Sequence, residues 1–472
     1  MSLFNNLAAH KNNTALILAN ETSISFNELA CLADNLGSNF TEKALVLIIS
    51  KFSHEPVIGY VSAIKSKSVV MFADEKLSYD EILQQIESYQ PDFVFGPASF
   101  FDDNTKLEYS IVSTLDNYKL ARTKNTTLRA IFSDLALLLP TSGTLGTSKF
   151  VRLSYNNLLK NAQSIIEYLE IKALDRAITT MPLSYSYMLS IVNSHLCAGA
   201  SIVICEHSIV TKHFWQIARR NGITSLNGVP IFFDFLIKMG LEKIELPSLR
   251  VITQAGGRLD TNKAKKMIKF AQNKKIEYVT MYGQTEASPR IAYLEWKHAN
   301  EKLGSIGKPL PGIDLWLKSH NGEKITKPHC QGEIMVAGEN VCLGYANSSS
   351  DLQRGDDNGG VLSTGDIAYQ DKEGFFYIVG RLKRIAKLNG IRISLDDLET
   401  KAQDVGHKIF CLEDGDKIRV FYDKLENRIS IETLLQKLTK QNKLGFSLTK
   451  IDKIPLLENG KVNYQELSQI KR

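Results

Sequence analysis

The chain has 472 residues, 43% of them hydrophobic and 23% charged, a balance that excludes a disordered tail or a fibrous repeat and predicts two or three globular domains. Its 57 basic and 51 acidic residues leave a net charge of +6 with no Lys/Arg run, so anionic small molecules fit it better than a nucleic-acid polymer. Six scattered cysteines without a Cys-x-x-Cys pair, and nine histidines without paired metal spacing, exclude a disulfide framework or zinc site and predict a reduced, cytoplasmic setting.

In chain order, Phe26–Phe40 has helical apolar spacing, Ala44–Ser50 reads as a buried strand, Pro56–Lys65 as a helix and Ser68–Phe72 as the next strand. This alternation predicts α/β architecture. An apolar strand then runs to Pro140, and Phe150–Ser154 alternates like another strand. Asn156 and Asn157 are candidate caps of a helix whose apolar face is Leu158, Leu159, Ala162, Ile165, Ile166 and Leu169. Ala200–Cys205, Ile223–Leu226, Arg250–Ala255 and Tyr278–Tyr282 predict further strands. From Asp314 short strands and Gly-rich turns predict a β-rich subdomain. The last 90 or so residues predict a separate α+β unit: Phe375–Arg381 and Ile385–Ile393 flank a turn, Asp396–Ala402 and Ile431–Leu438 are helices, and Ile418–Tyr422 is a strand. The N-terminus lacks a basic region followed by an apolar one, so no signal peptide is expected. No apolar run reaches the roughly 18 residues of a membrane span.

Five segments carry chemistry. Between the two strands near residue 140 lies a loop with hydroxyls at Thr141, Ser142, Thr144 and Ser148, glycines at Gly143 and Gly146, and Lys149. Backbone N–H groups, hydroxyls and an ammonium in one tight loop suit an oxyanion. The spacing is not that of a Walker loop, and the strand that follows offers no helix N-terminus. Tyr282-Gly283-Gln284-Thr285-Glu286 sets an aromatic ring, a hydroxyl and a carboxylate on one turn, and a carboxylate beside a phosphate loop suits Mg²⁺. Thr364-Gly365-Asp366 places a carboxylate where it can take the two hydroxyls of a ribose. Gly380–Arg392 is a basic hairpin, and Asn459-Gly460-Lys461 a turn that projects a lysine. Each segment by itself also reads as an ordinary turn or solvated face; the ordered set of five does not.

With these motifs the chain resembles, over nearly its whole length, the adenylate-forming superfamily of acyl-CoA synthetases, aryl-CoA ligases, luciferases and peptide-synthetase adenylation domains. Thr141–Lys149 is similar to that family's Thr-Ser-Gly-Thr-Thr-Gly-x-Pro-Lys loop, with Leu145 where threonine is usual, Ser148 where proline is usual and Phe150 where glycine is frequent. Tyr282–Glu286, Thr364–Asp366, Gly380–Arg392 and Asn459–Lys461 match its other motifs, and Ala255-Gly256-Gly257 its adenine-side loop. The resemblance implies a large N-terminal core over residues 1–382, made of α/β subdomains and a β-rich subdomain, and a small mobile α+β domain over 383–472. It implies ATP and Mg²⁺, a small carboxylic acid activated as an acyl adenylate, and transfer to the thiol of CoA or of the phosphopantetheine on a separate acyl carrier protein.

The implied roles follow residue by residue. Lys461 bridges carboxylate and α-phosphate, Glu286 holds Mg²⁺ beside Thr285, and the 141–149 loop holds the β- and γ-phosphates. Tyr282 and Gly283, with Gly256 and Gly257, face adenine; Asp366 and Arg381 fix the ribose. Lys383 is the hinge, and Gly390 lines the thiol tunnel. Tyr185, Met188 and Val229 are the acid-pocket candidates, joined by Tyr187 and Asn193. Pro182–Met188 contains no acid to bind an α-ammonium, which disfavours simple α-amino acids. An oxidative luciferase-like enzyme and a non-catalytic nucleotide-binding relative remain as alternatives.

Overall fold

The computed structural model describes residues 3–4, 7–102, 107–124, 130–140, 149–388, 391–415, 417–423, 426–439, 443–457 and 460–470. Two large sheets dominate it. In the eight-stranded sheet the parallel strands Leu45–Ser50, Val69–Asp74, Phe93–Pro97 and Leu135–Pro140 occupy the middle. Leu45–Ser50 is buried at every position, as its unbroken apolar run requires of a strand covered on both faces. The helix that precedes it starts at an encoded cap: Ser25 and Glu28 form a reciprocal capping box, and the helix runs Phe26–Gly37, three residues short of the expected end.

The helix after the phosphate-type loop begins earlier than its asparagines suggest. Ser154, the last residue of the strand Phe150–Ser154, is the cap; Asn157 closes a capping box with it and then bonds the carbonyls of Glu339 and Val341. A hydroxyl ending a strand was the stronger start signal.

The nine-stranded sheet contains the parallel run Arg176–Ile178, Ser225–Gly228, Val251–Gln254 and Glu277–Tyr282; the last three lie close to predicted positions, and the short Arg176–Ile178 was not predicted. One core cluster joins both sheets through the helix Ser186–Cys197. The β-rich part is a five-stranded antiparallel sheet that includes Gln331–Gly338, Val361–Gln370 and Phe376–Arg381. The antiparallel pair Tyr109–Leu115 and Tyr118–Thr123 was not legible, because the first strand is half-exposed and has no strong apolar pattern.

After Arg384 the chain builds a unit with its own core, including Leu395, Leu398, Val420, Ile431 and Leu435. Ile385–Leu388 and Ile391–Ser394 are the two strands of a hairpin, not one flank of a turn. Arg384 ties this unit together: it bonds Asp396 and Glu399 at 2.5 Å each and lies 3.7 Å from the Tyr464 ring centroid.

Candidate functional site

Open α/β sheets bind ligands beyond the carboxyl ends of their parallel strands. Three neighbouring strands deliver the predicted residues there: Ser225–Gly228 leads to Val229, Val251–Gln254 to Ala255-Gly256-Gly257, and Glu277–Tyr282 to Gly283. The glycines in these turns are sterically required. Gly256 has φ +80°, and a Cβ there would stand 2.9 Å from both the Tyr185 hydroxyl and Val229 Cγ1. A Cβ on Gly283 would fall 1.5 Å from the carbonyl oxygen of Pro289.

Tyr282 donates its hydroxyl to Asp366 Oδ2 at 2.5 Å, and Arg381 Nε donates to Asp366 Oδ1 at 3.0 Å. Sheet register makes the second contact, since Asp366 and Arg381 face each other across paired strands. Asp366 is buried, and burial raises its pKa against the opposing pull of Arg381 and Tyr282. Burial and the adjacent carboxylate push the Tyr282 hydroxyl well up, so it stays a donor.

Lys461 reaches this group from the C-terminal unit. Burial lowers its pKa from 10.5, the Arg381 guanidinium lowers it further, and Asp366 raises it. The turn carrying it rests on the helix Pro230–Met239, where a Cβ on Gly460 would lie 3.0 Å from Ile231 Cδ1. Thr261 donating to Asp404 at 3.1 Å makes a second contact between the two parts of the chain.

A second cluster forms around Glu286. Tyr345 donates its hydroxyl to Glu286 Oε1 at 2.8 Å, and the Lys149 ammonium lies 3.6 Å from the Tyr345 ring centroid. The strand Gly344–Ala346 pairs with Phe150–Ser154, which sets Tyr345 opposite Val151. The loop 141–148 lies outside the described residues. Its two ends are fixed, because Leu135–Pro140 and Phe150–Ser154 are antiparallel neighbours with Pro140 opposite Phe150. The hard carboxylate oxygens of Glu286, close to Lys149 at the loop's end, are a suitable donor set for Mg²⁺. Thr285 sits one residue before it, its hydroxyl 3.1 Å from that of Ser186.

The acid-side candidates divide. Tyr185 and Val229 meet at Gly256. Met188 lines a small cavity with Lys51, Thr179, Leu183, Val192 and Ile204. Tyr187 is core: its hydroxyl bonds Thr253, which bonds Asn227. Asn193 is buried, and its Oδ1 has no hydrogen-bond partner among the described residues. Lys383 is exposed in the short turn Leu382–Arg384. Gly390 and Asn459 lie outside the described residues. Sequence reading gave no role to Arg290, a single residue outside the matched strings, and none to Tyr345, although Gly332–Tyr345 weakly matches the family.

Residues 3–346 match the family described as AMP-binding enzyme. Oxalate–CoA ligase of Saccharomyces cerevisiae is 27% identical over 389 residues, covering 79% of this chain and 70% of that protein. The 2-succinylbenzoate–CoA ligase of Bacillus subtilis is 28% identical over 399 residues, covering 82% and 78%. The solved structure of o-succinylbenzoate CoA synthetase from Bacillus subtilis, in complex with its acyl-adenylate intermediate, has the same fold: TM-score 0.80 at 19% identity, covering 100% of this chain and 99% of that one.

Proposed function

Because the chain belongs to the AMP-binding enzyme family, we propose that it activates a small carboxylic acid with ATP as an acyl adenylate and passes the acyl group to a thiol. What supports this reading is the Asp366–Arg381 pair in the core, whose charges both act on Lys461 of the C-terminal unit. Attack of a carboxylate on the α-phosphate brings two anions together, so the site must supply positive charge where it is needed. Lys461 is the group for that task, and Arg381 backs it. Asp366 takes the ribose hydroxyls, the Tyr282 ring covers adenine while its hydroxyl orients Asp366, and Gly256 and Gly257 leave room for the base. Glu286 would hold Mg²⁺, which would offset phosphate charge; Tyr345 orients that carboxylate. The loop 141–149 takes the terminal phosphates.

The boundary falls at 382/383, supported by the separate core beyond it. Lys383, exposed between the two parts, is the pivot for a rotation that withdraws Lys461 once the adenylate has formed. Gly390 then lines the thiol's path. CoA is the acceptor favoured by the ligase relatives, with a separate acyl carrier protein as the alternative. All six cysteines are unpaired, which fits the cytoplasm. Among the described residues no helix is long and apolar enough to cross a membrane.

The test is acid-dependent ATP–pyrophosphate exchange, screened over fatty, aryl, hydroxy and amino acids and repeated with CoA. Exchange with a subset of acids, and thioester only when thiol is added, supports the reading. Nucleotide binding without exchange for any acid would favour a non-catalytic relative.

A further inference from the structure

Two arginines rank among the largest fully buried side chains, and they are treated very differently. Arg152, 0% exposed, donates to the carbonyls of Tyr345, Leu343, Arg354 and Gly355 and pairs with Asp357. Its five N–H donors and its charge are accounted for, as burial of a guanidinium demands. Arg290, 2% exposed, has no carboxylate partner among the described residues. Its Nε finds no acceptor. Its guanidinium carbon lies 4.3 Å from the Tyr187 ring centroid, and its charge acts on the Tyr168 hydroxyl, which donates to Met281 Sδ.

The loop that aims Arg290 inward is itself held firmly. Asn340 donates to the carbonyls of Ala287 and Arg290 at 3.0 and 2.8 Å, and Ser288 donates back to the Asn340 carbonyl at 2.7 Å. A Cβ on Gly283 would stand 3.0 Å from Arg290 Cα, so the arginine's backbone is pressed against the Tyr-Gly turn of the nucleotide site. Its field reaches Tyr185, which adjoins Gly256 and Val229. Burying a cation without a counter-charge costs several kcal/mol, and retaining it is consistent with an anion that arrives from outside.

We propose that Arg290 receives a second carboxylate on the acid, so that the acid activated at this site is a dicarboxylic acid. This rests on the adenylation reading above and names its substrate class. One carboxylate attacks the α-phosphate while Lys461 offsets the charge; the other pairs with the planar guanidinium, for which bidentate geometry is natural, and accepts from the Tyr185 hydroxyl. Tyr187 supports the guanidinium from its ring face. A monoacid of equal length leaves the cation unpaired, and such mismatches at polar sites are discriminated strongly.

The experiment is pyrophosphate exchange with matched sets: a straight-chain dicarboxylic acid, its monomethyl ester and the monocarboxylic acid of the same length, across several lengths. The wild-type protein is expected to prefer one diacid over its half-ester by roughly 100-fold or more in kcat/KM. Arg290→Met is expected to abolish that preference while leaving KM for ATP and the melting temperature near wild type; Arg290→Lys is expected to restore part of it. A wild-type preference for the half-ester or monoacid overturns the proposal, and this arm needs no folded variant. Equal loss with every acid in Arg290→Met, or a diacid preference that survives it, also overturns the proposal. Exchange with no acid at all overturns the adenylation reading instead.

Discussion

The nucleotide side of the site and its acid side are built in different ways. Tyr282, Glu286, Asp366, Arg381 and Lys461 lie in short strings at the ends of strands or in turns, and sheet register places Asp366 opposite Arg381. The acid side is assembled one side chain at a time, from Tyr168 at the end of one helix, Tyr185 at the cap of the next, Val229 after a strand, and Arg290 on the loop beyond Pro289. The chemistry every acid shares is carried by local strings. The choice of acid is carried by tertiary contacts.

Variants on the nucleotide side should therefore act alike on every acid, and variants on the acid side should reorder acids while leaving ATP alone. The largest effect is expected at Lys461. Lys461→Ala should slow adenylation roughly 100- to 1000-fold, about 2.7–4 kcal/mol, by the same factor for each acid and with an unchanged melting curve. Near-normal exchange would remove Lys461 from the reaction. Asp366→Asn should come next. It strips the charge from a hydrogen-bonded pair with Arg381 and weakens the ribose acceptor, so KM for ATP should rise by about 10- to 100-fold, with the order of acids kept. A changed order of acids would show that the two sides are coupled.

Tyr185→Ala should cost about 1–3 kcal/mol in kcat/KM for the preferred acid and less for others, with KM for ATP within twofold. Uniform loss over all acids would move Tyr185 to the nucleotide side. The smallest effect is a pH dependence. An ammonium is lost as pH rises through its pKa, and that of Lys461 is held below 10.5 by burial and by Arg381. The alkaline fall in kcat/KM for adenylation should then begin below the range of an exposed lysine. An alkaline limb identical in Lys461→Ala would assign it to another group.

The sequence was legible where local physics decides. Leu45–Ser50 could only be a covered strand, and Tyr282–Glu286 and Thr364–Asp366 carried their chemistry as contiguous strings. It was illegible where distant segments decide. Asn156 looked like a cap, but the strand's terminal Ser154 took that place once Asn157 had turned to the carbonyls of Glu339 and Val341. Met188, close to Tyr185 in the sequence, lines a small cavity with Lys51, Leu183 and Val192, a placement that only the fold reveals. Arg290 and Arg152 look alike in the sequence, and only the fold shows that one is fully paired and the other is not.

Adenylate formation requires that a carboxylate oxygen of the acid attack the α-phosphate of ATP. Labelling both carboxylate oxygens of an activated acid with ¹⁸O and allowing turnover with thiol tests it most directly. AMP is expected to carry one labelled oxygen, with none in the pyrophosphate. Label in inorganic phosphate with ADP as the product, or AMP without label, would contradict it.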